Sequence, residues 1–271
     1  MRVTDTRVTT VDMFGAEPGR GSALDILFPG DPDEAAQHAR ESRADETVLV
    51  NLCDRAERTF ASQVFTASGE TPFATHSLAG TAAHLVSAGR LAPGSVGRIS
   101  DAGCQWLWTD GREVRVPFDG PALHEEITGE VFEPYGGTAI AAGVGRAFTF
   151  VQVERDPRDS PAPDLDLMWA NKLTDLTLFR WDRERGEVLA RVFAPGFGIP
   201  EDAGCLPVAA ALGVLAVALD AEQQGAPVMV RQVTERGTES VFTCVSVVDD
   251  GTATVNVIGR VWGTADRGGQ G

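Results

Sequence analysis

The feature that most constrains this chain is that it repeats itself once. Residues 63–72 read QVFTASGETP and residues 191–200 read RVFAPGFGIP. In both, a Val-Phe pair is followed seven residues after the Phe by a Pro, and a stretch rich in small apolar residues comes next: SLAGTAAHLVSAG over 77–89 and PVAAALGVLAVALDAE over 207–222. The match extends backwards. PDEAAQHARESRADETVLV over 32–50 parallels PDLDLMWANKLTDLTLFR over 163–180, each a short helix entering a strand through an Asp-x-Thr step, at Asp45 and Asp175. RVTTVDMF over 7–14 and RAFTFVQVE over 146–154 both have the pattern of opening strands.

Each repeat is therefore a run of strands plus a helix of Ala, Gly, Val and Leu. Such a helix is apolar nearly all round and must be buried. Strands curled around it satisfy that demand. At 271 residues the chain is long for one domain and comfortable for two of about 130 each. The expected division is a first half over 1–132, a Gly-rich hinge EPYGGTAIAAGVG over 133–145 and a second half over 146–271. Two similar halves facing each other leave a cleft, a usual place for a ligand. The charged, Pro-rich stretch 154–164 reads as an exposed loop, and the tail 265–271 as disordered.

The formal net charge of -16 argues against nucleic acid, whose phosphates call for Lys and Arg, and against an anionic membrane surface. A small anionic substrate remains possible, because a helix terminus can hold one locally. The opening MRVTDTRVTTVDMF has no apolar signal core, and the longest nearly apolar run, Val208 to Leu219, is too short to span a bilayer. Cysteines stand singly at 53, 104, 205 and 244, with no CxxC pair. The expectation is a reduced, cytoplasmic protein.

No metal-binding helix motif, dinucleotide fingerprint or nucleophile elbow is present, so no metal and no cofactor is expected. Acid–base chemistry by carboxylates and histidine is what remains. Glu46 starts the apolar strand TVLVNL, and because successive strand residues face opposite sides, only one of Asp45 and Glu46 can point into a given cleft. A carboxylate at the rim of a buried strand loses hydration, which suits it to act as both base and acid. His76 lies just before the helix 77–89, where backbone N–H groups need partners. Asp202 occupies the matching point ahead of the second helix, followed by Cys205. On residue type alone each has a plainer reading: a solvated strand-start carboxylate, a structural histidine, dipole compensation at a helix end, and a small buried thiol.

The ordered blocks carry a resemblance. VDMFGAEPGRGSAL (11–24) is similar to the opening "VDVFTxxPFxGNPLA" of the phenazine-biosynthesis, or PhzF-like, family. ADETVLV (44–50) resembles "LSETTFV", and VFTASGETPFATHSLAGTA (64–82) resembles "IFTPxxELPFAGHPTLGTA". RVFAPGFGIPEDAGCLPVAAAL (191–212) resembles "RxFAPxxGIPEDPATGSAxxxL". The resemblance implies the diaminopimelate-epimerase-like α+β fold, with two pseudo-symmetric halves, each a strongly curved, mostly antiparallel sheet wrapped around a central helix. It implies an active site between the halves and a Glu that moves a proton on a cyclic amino acid without a cofactor. A His and an Asp assist, and helix N-termini hold the substrate carboxylate. Carried over by motif, the catalytic positions are Glu46, His76 and Asp202. Ser22, Asp45, Thr75, Ser77, Gly204 and Cys205 fall at substrate-binding positions around them.

The departures are specific. Asp45 replaces the Ser before the Glu, Thr75 the Gly before the His, and Ser22 the Asn of "GNP". The loop "DPATGSA" has become Asp202-Ala-Gly-Cys-Leu-Pro-Val208, and proline has no N–H to offer an anion. The racemases of the superfamily place one thiol in each half. Here those positions are Ala74 and Asp202, with Cys205 offset by three residues, which argues against a two-thiol racemase.

The resulting expectation is a homodimeric isomerase moving a proton on a small, unsaturated, cyclic amino-acid-like acid of secondary metabolism. The isomerases of lincosamide and pyrrolobenzodiazepine proline-unit pathways are the comparison by analogy. The alternatives are a repurposed, non-catalytic small-molecule-binding protein, and a Cys205-dependent epimerase.

Overall fold

The computed structural model describes residues 8–71, 75–100 and 103–263. Pro72 of the repeated motif, Ala74 and the tail 265–271 lie outside the described residues. The chain divides into two compact units, Met1–Val116 with Gly259–Gly271, and Pro117–Ile258.

The first unit runs β1 (Val8–Met13), β2 (Ser22–Leu27), α1 (Pro32–Glu41), β3 (Glu46–Asp54), β4 (Thr59–Thr66), β5 (Gly69–Thr71), α2 (Thr75–Ser87), β6 (Gly94–Ser100), β7 (Gly103–Thr109) and the start of β8 (Glu113–Thr128). The sheet order is β1-β2-β3-β4-β6-β7, with β5 hairpinned onto β4. Parallel pairs β2–β3 and β4–β6 alternate with antiparallel ones, and Val261 and Trp262 return to pair with Met13 and Asp12. Helix α2 packs against β1, β2, β3 and β7, which stand at opposite ends of that order. The sheet must therefore curl around the helix.

The second unit repeats the plan with β9 (Thr138–Val144), β10 (Ala147–Gln152), α3 (Leu165–Ala170), β11 (Leu176–Asp182), β12 (Glu187–Ala194), β13 (Ile199–Asp202), α4 (Leu206–Leu219), β14 (Pro227–Val233), β15 (Glu239–Asp249) and β16 (Thr252–Trp262). Its order is β9-β10-β11-β12-β14-β15, with β13 on β12 and parallel pairs at the equivalent places, β10–β11 and β12–β14. Helix α4 packs against β9, β10, β14 and β15.

The sequence accounts for the local structure of both units. Helices α1 and α3 start on Asp31 and Asp164, whose carboxylates accept the N–H groups of Asp33 and Glu34, and of Asp166 and Leu167. These caps satisfy donors the helix leaves unpaired. Each small helix covers the outer face of its sheet: Ala35 and Ala39 sit on Leu27, Leu49 and Phe65, and Met168 sits on Leu176, Leu178 and Phe193. The central helices are buried on every side, over His76–Ala83 in α2 and Val208–Ala216 in α4. Small residues let strands come close. A Cβ on Gly80 would stand 2.6 Å from the Met13 sulfur, and one on Gly213 would stand 2.5 Å from the Ser246 hydroxyl.

Both Asp-x-Thr steps fasten a strand start to its parallel neighbour, with registers that differ by one residue: Thr47 stands opposite Phe65 and Leu176 opposite Phe193. Asp45 accepts the Ala23 N–H at 3.1 Å and Asp175 accepts the Thr149 N–H at 2.8 Å, so each aspartate ties the start of its strand to the parallel neighbour. The residues that follow, Glu46 and Leu176, begin β3 and β11.

Three sequence expectations shift. Residues 133–145 hold the end of a 3-10 turn and all of β9, and the unit boundaries fall inside β8 and β16 instead. The glycines there make turns and a close approach: a Cβ on Gly143 would stand 1.9 Å from the Arg146 carbonyl oxygen. Helix α2 begins at Thr75, so His76 is inside its first turn rather than ahead of it. Helix α4 covers Leu206–Leu219 and stops at Asp220, short of residue 222.

Candidate active site

Strand alternation separates the two adjacent carboxylates at the head of β3. Asp45 is exposed, bonded to the Ser22 hydroxyl at 2.9 Å and the Ala23 N–H. Glu46 points the other way and is 4% exposed. Its side chain meets the first turn of α2. His76 Nε2 lies 3.1 Å from Glu46 Oε2, and the Ser77 hydroxyl donates to the same oxygen. His76 and Ser77 are themselves buried, and Thr75 opens the helix half-buried.

A buried carboxylate is expensive unless donors surround it. Here donors come from a histidine and a hydroxyl, at a helix end whose dipole favours negative charge. Glu46 thus stands in a dry place against a histidine and a hydroxyl. The structure brings together Glu46, His76 and Ser77, and separately pairs Ser22 with Asp45 as a fastening of β2 onto β3.

The second unit places Asp202, Gly204 and Cys205 together ahead of α4. Asp202 ends β13, is buried, and accepts the Gly204 N–H at 2.9 Å. Burial pushes the Cys205 thiol well above its ordinary range, and the Asp202 charge pushes it the same way. Two further residues organise this end. Fully buried Gln232 of β14 accepts the Cys205 N–H at 2.6 Å and donates to the Cys205 carbonyl at 2.8 Å. Buried Arg191 binds Glu201 at 2.6 Å and stacks on Phe193 at 4.8 Å. Arg191 stands at the head of the repeated RVFA block. Gln232 carries no sequence signal, because its contact spans 27 residues.

Among the described residues no group of three or more His, Cys, Asp or Glu side chains could hold a metal ion. No helix among them is long and apolar enough to cross a membrane.

No protein-family model matches the chain. No curated protein matches it. Solved structures do. A phenazine-biosynthesis PhzF-family protein from Enterococcus faecalis superposes with a TM-score of 0.75 at 18% identity, over 96% of each chain. A predicted epimerase from Pseudomonas aeruginosa gives 0.71 at 22% identity, covering 96% of this chain and 97% of that one. A hydroxyproline epimerase from Agrobacterium vitis, with trans-4-hydroxy-L-proline bound, gives 0.60 at 14% identity, covering 97% and 92%. The chain has the diaminopimelate-epimerase-like α+β fold of these proteins, as the resemblance of its motifs implies.

Proposed function

We propose that this protein is a PhzF-like isomerase that shifts a proton on a small, unsaturated, amino-acid-like acid without a cofactor, with Glu46 as the proton carrier. The observation that carries the proposal is the burial of Glu46 against His76 and Ser77. The Glu46 carboxylate takes a proton from a carbon adjacent to the substrate's double bond. The electron pair left behind moves through the conjugated system. Glu46, now a neutral acid, returns the proton at the far end, so atoms and charge balance over the cycle. His76 and Ser77 hold the carboxylate in place, and His76 offsets the charge that shifts during transfer. Asp202 is assigned its supporting part through the family resemblance of the GIPED block.

Positioned acid–base groups contribute about 10²–10⁴-fold to rate. The test is a panel of cyclic, unsaturated amino acids, 3,4-dehydroproline among them, incubated with the protein and with Glu46→Gln. Isomerisation of a panel member that falls by about 10²-fold or more in the variant supports the reading. Equal turnover by the variant overturns it.

A thiol-based epimerase is the poorer reading. A thiolate is needed as base, and burial with the neighbouring Asp202 keeps the Cys205 thiol protonated. Cys205→Ala is therefore expected to retain turnover within about tenfold, the margin allowed for altered packing at a helix end. The altered loop before α4 favours a repurposed binding protein as the second reading. In that case the panel compounds bind and none is isomerised.

A further inference from the structure

The two oxygens of Glu46 are held differently. His76 Nε2 lies 3.1 Å from Oε2, and the Ser77 hydroxyl donates to that same oxygen. Among the described residues none donates to Oε1. Glu46 is 4% exposed, yet Oε1 is not one of the unpartnered polar atoms sealed from solvent, so the small exposed part of this side chain includes Oε1. Ser77 is fully buried, and no solvent competes for its hydroxyl.

The sequence singles out the same residue. In the block 64–82, Ser77 stands where the PhzF-like pattern "GHPTLG" has proline. Proline has neither a hydroxyl nor an N–H to give. His76 is common to both blocks, so the second fastening of Glu46 is this chain's own.

A carboxylate free to turn about its last torsion presents either oxygen. Two donors on Oε2 stop that turn and leave Oε1 facing outward. They also survive the reaction. As the substrate C–H bond breaks, its proton bonds to Oε1 and the electron pair stays on the substrate. Oε2 becomes the carbonyl oxygen of the neutral acid and still accepts from both donors. Return of the proton reverses these changes at the far carbon. No hydrogen bond of Glu46 has to break in either direction, which keeps the carrier in its reacting geometry. We propose that Oε1 alone exchanges the proton, and that Ser77 is a positioning residue that reserves it by holding Oε2 alongside His76. This inference rests on the isomerase reading and assigns that site its reacting atom.

The experiment uses the full chain labelled with 13C at the glutamate carboxyl carbons. The Glu46 carboxyl stretch is the infrared band lost in Glu46→Gln. Ser77→Ala shifts that band, and Ser77→Thr, which keeps the hydroxyl, returns it to its unmodified place. Ser77→Cys serves in the same way if the alanine variant does not fold, because a thiol is a weak donor. A band unmoved in the folded variant overturns the inference. With a panel compound that the protein isomerises, the same variant lowers kcat by about tenfold and leaves KM within about twofold, because Ser77 acts through Glu46 and touches no substrate. A kcat within about twofold of the unmodified protein, with or without a raised KM, overturns it as well. The infrared reading needs no turnover. Failure of Glu46→Gln to slow isomerisation therefore counts against the isomerase reading, while an unmoved band counts against the role of Ser77, and the two failures are told apart.

Discussion

The first turns of α2 and α4 occupy equivalent places in two copies of one plan, and they are built oppositely. At α2 the strand β3 delivers a carboxylate, Glu46, into the helix end, where His76 and Ser77 receive it. At α4 the repeat is offset by one residue: Phe193 stands opposite Leu176 as Phe65 stands opposite Thr47, so the strand position that matches Glu46 holds Asp175, bonded to the Thr149 N–H and the Thr174 hydroxyl. A second carboxylate arrives from β13 as Asp202, and it meets a backbone N–H and a protonated thiol. A duplicated fold thus keeps the helix end and changes the groups that meet its charge. Only the α2 end pairs a buried carboxylate with a titratable histidine, which is why the proton transfer is placed there.

The largest expected effect comes from burying a carboxylate without the donors that Glu46 has at α2. Leu176→Glu puts one into the apolar cluster of Met168, Leu178 and Phe193 beneath α3, which offers nothing like His76 and Ser77. It should destabilise by about 3 kcal/mol or more, read as a lowered urea midpoint. A midpoint within experimental error of the parent would show that the donors at α2 are not what makes Glu46 tolerable.

Packing of the two helices gives the next effect. Gly80→Ala drives a methyl into Met13 and Leu24, and Gly213→Ala drives one into Ser246 and Cys244. Each should cost about 1–3 kcal/mol by overpacking. Thermal unfolding of both variants checks this, and an unchanged Tm in either would mean that its helix sits farther from the sheet than described.

The smallest effect separates two buried aspartates by sign. Burial alone would raise Asp25, but hydrogen bonds from Ser42, Thr10 and His38 outweigh it and hold the carboxyl below its ordinary 3.8. Its contribution to stability is present above that value and is lost as pH falls through the lower folded value. Asp175 goes the other way: burial raises it above 3.8 in spite of hydrogen bonds from Thr149 and Thr174. Its contribution is present in acid and is lost as pH rises through the raised value. At pH 7, Asp25→Asn should therefore lower the urea midpoint, by about 1 kcal/mol since His38 is partly solvated. Asp175→Asn should leave the midpoint equal or raised, and the sign of the difference should reverse in acid.

Much of this was legible in the residues. The Val-Phe to Pro spacing and the Asp-x-Thr steps predicted the duplicated plan, because equivalent strands need equivalent punctuation. The all-round apolar character of 77–89 and 207–222 predicted central buried helices. The alternation of Asp45 and Glu46 predicted that one faces out and one faces in. Other features depend on long-range pairing that no local pattern encodes. The boundaries at 116/117 and 258/259 follow from where β8 and β16 exchange partners, so the glycines of 133–145 were a poor guide. Gln232 looks like any strand glutamine until the fold sets it against Cys205. The partners of Glu46 were legible as residue types near a helix start, and the start itself lies two residues earlier than the pattern indicated.

The central claim is that a proton passes through Glu46. The most direct measurement is deuterium wash-in from D2O, followed by NMR at the carbon of the isomerised panel compound that receives the proton. The account predicts incorporation with the unmodified protein and a rate lower by about 10²-fold or more with Glu46→Gln. Incorporation by Glu46→Gln at the unmodified rate would contradict it.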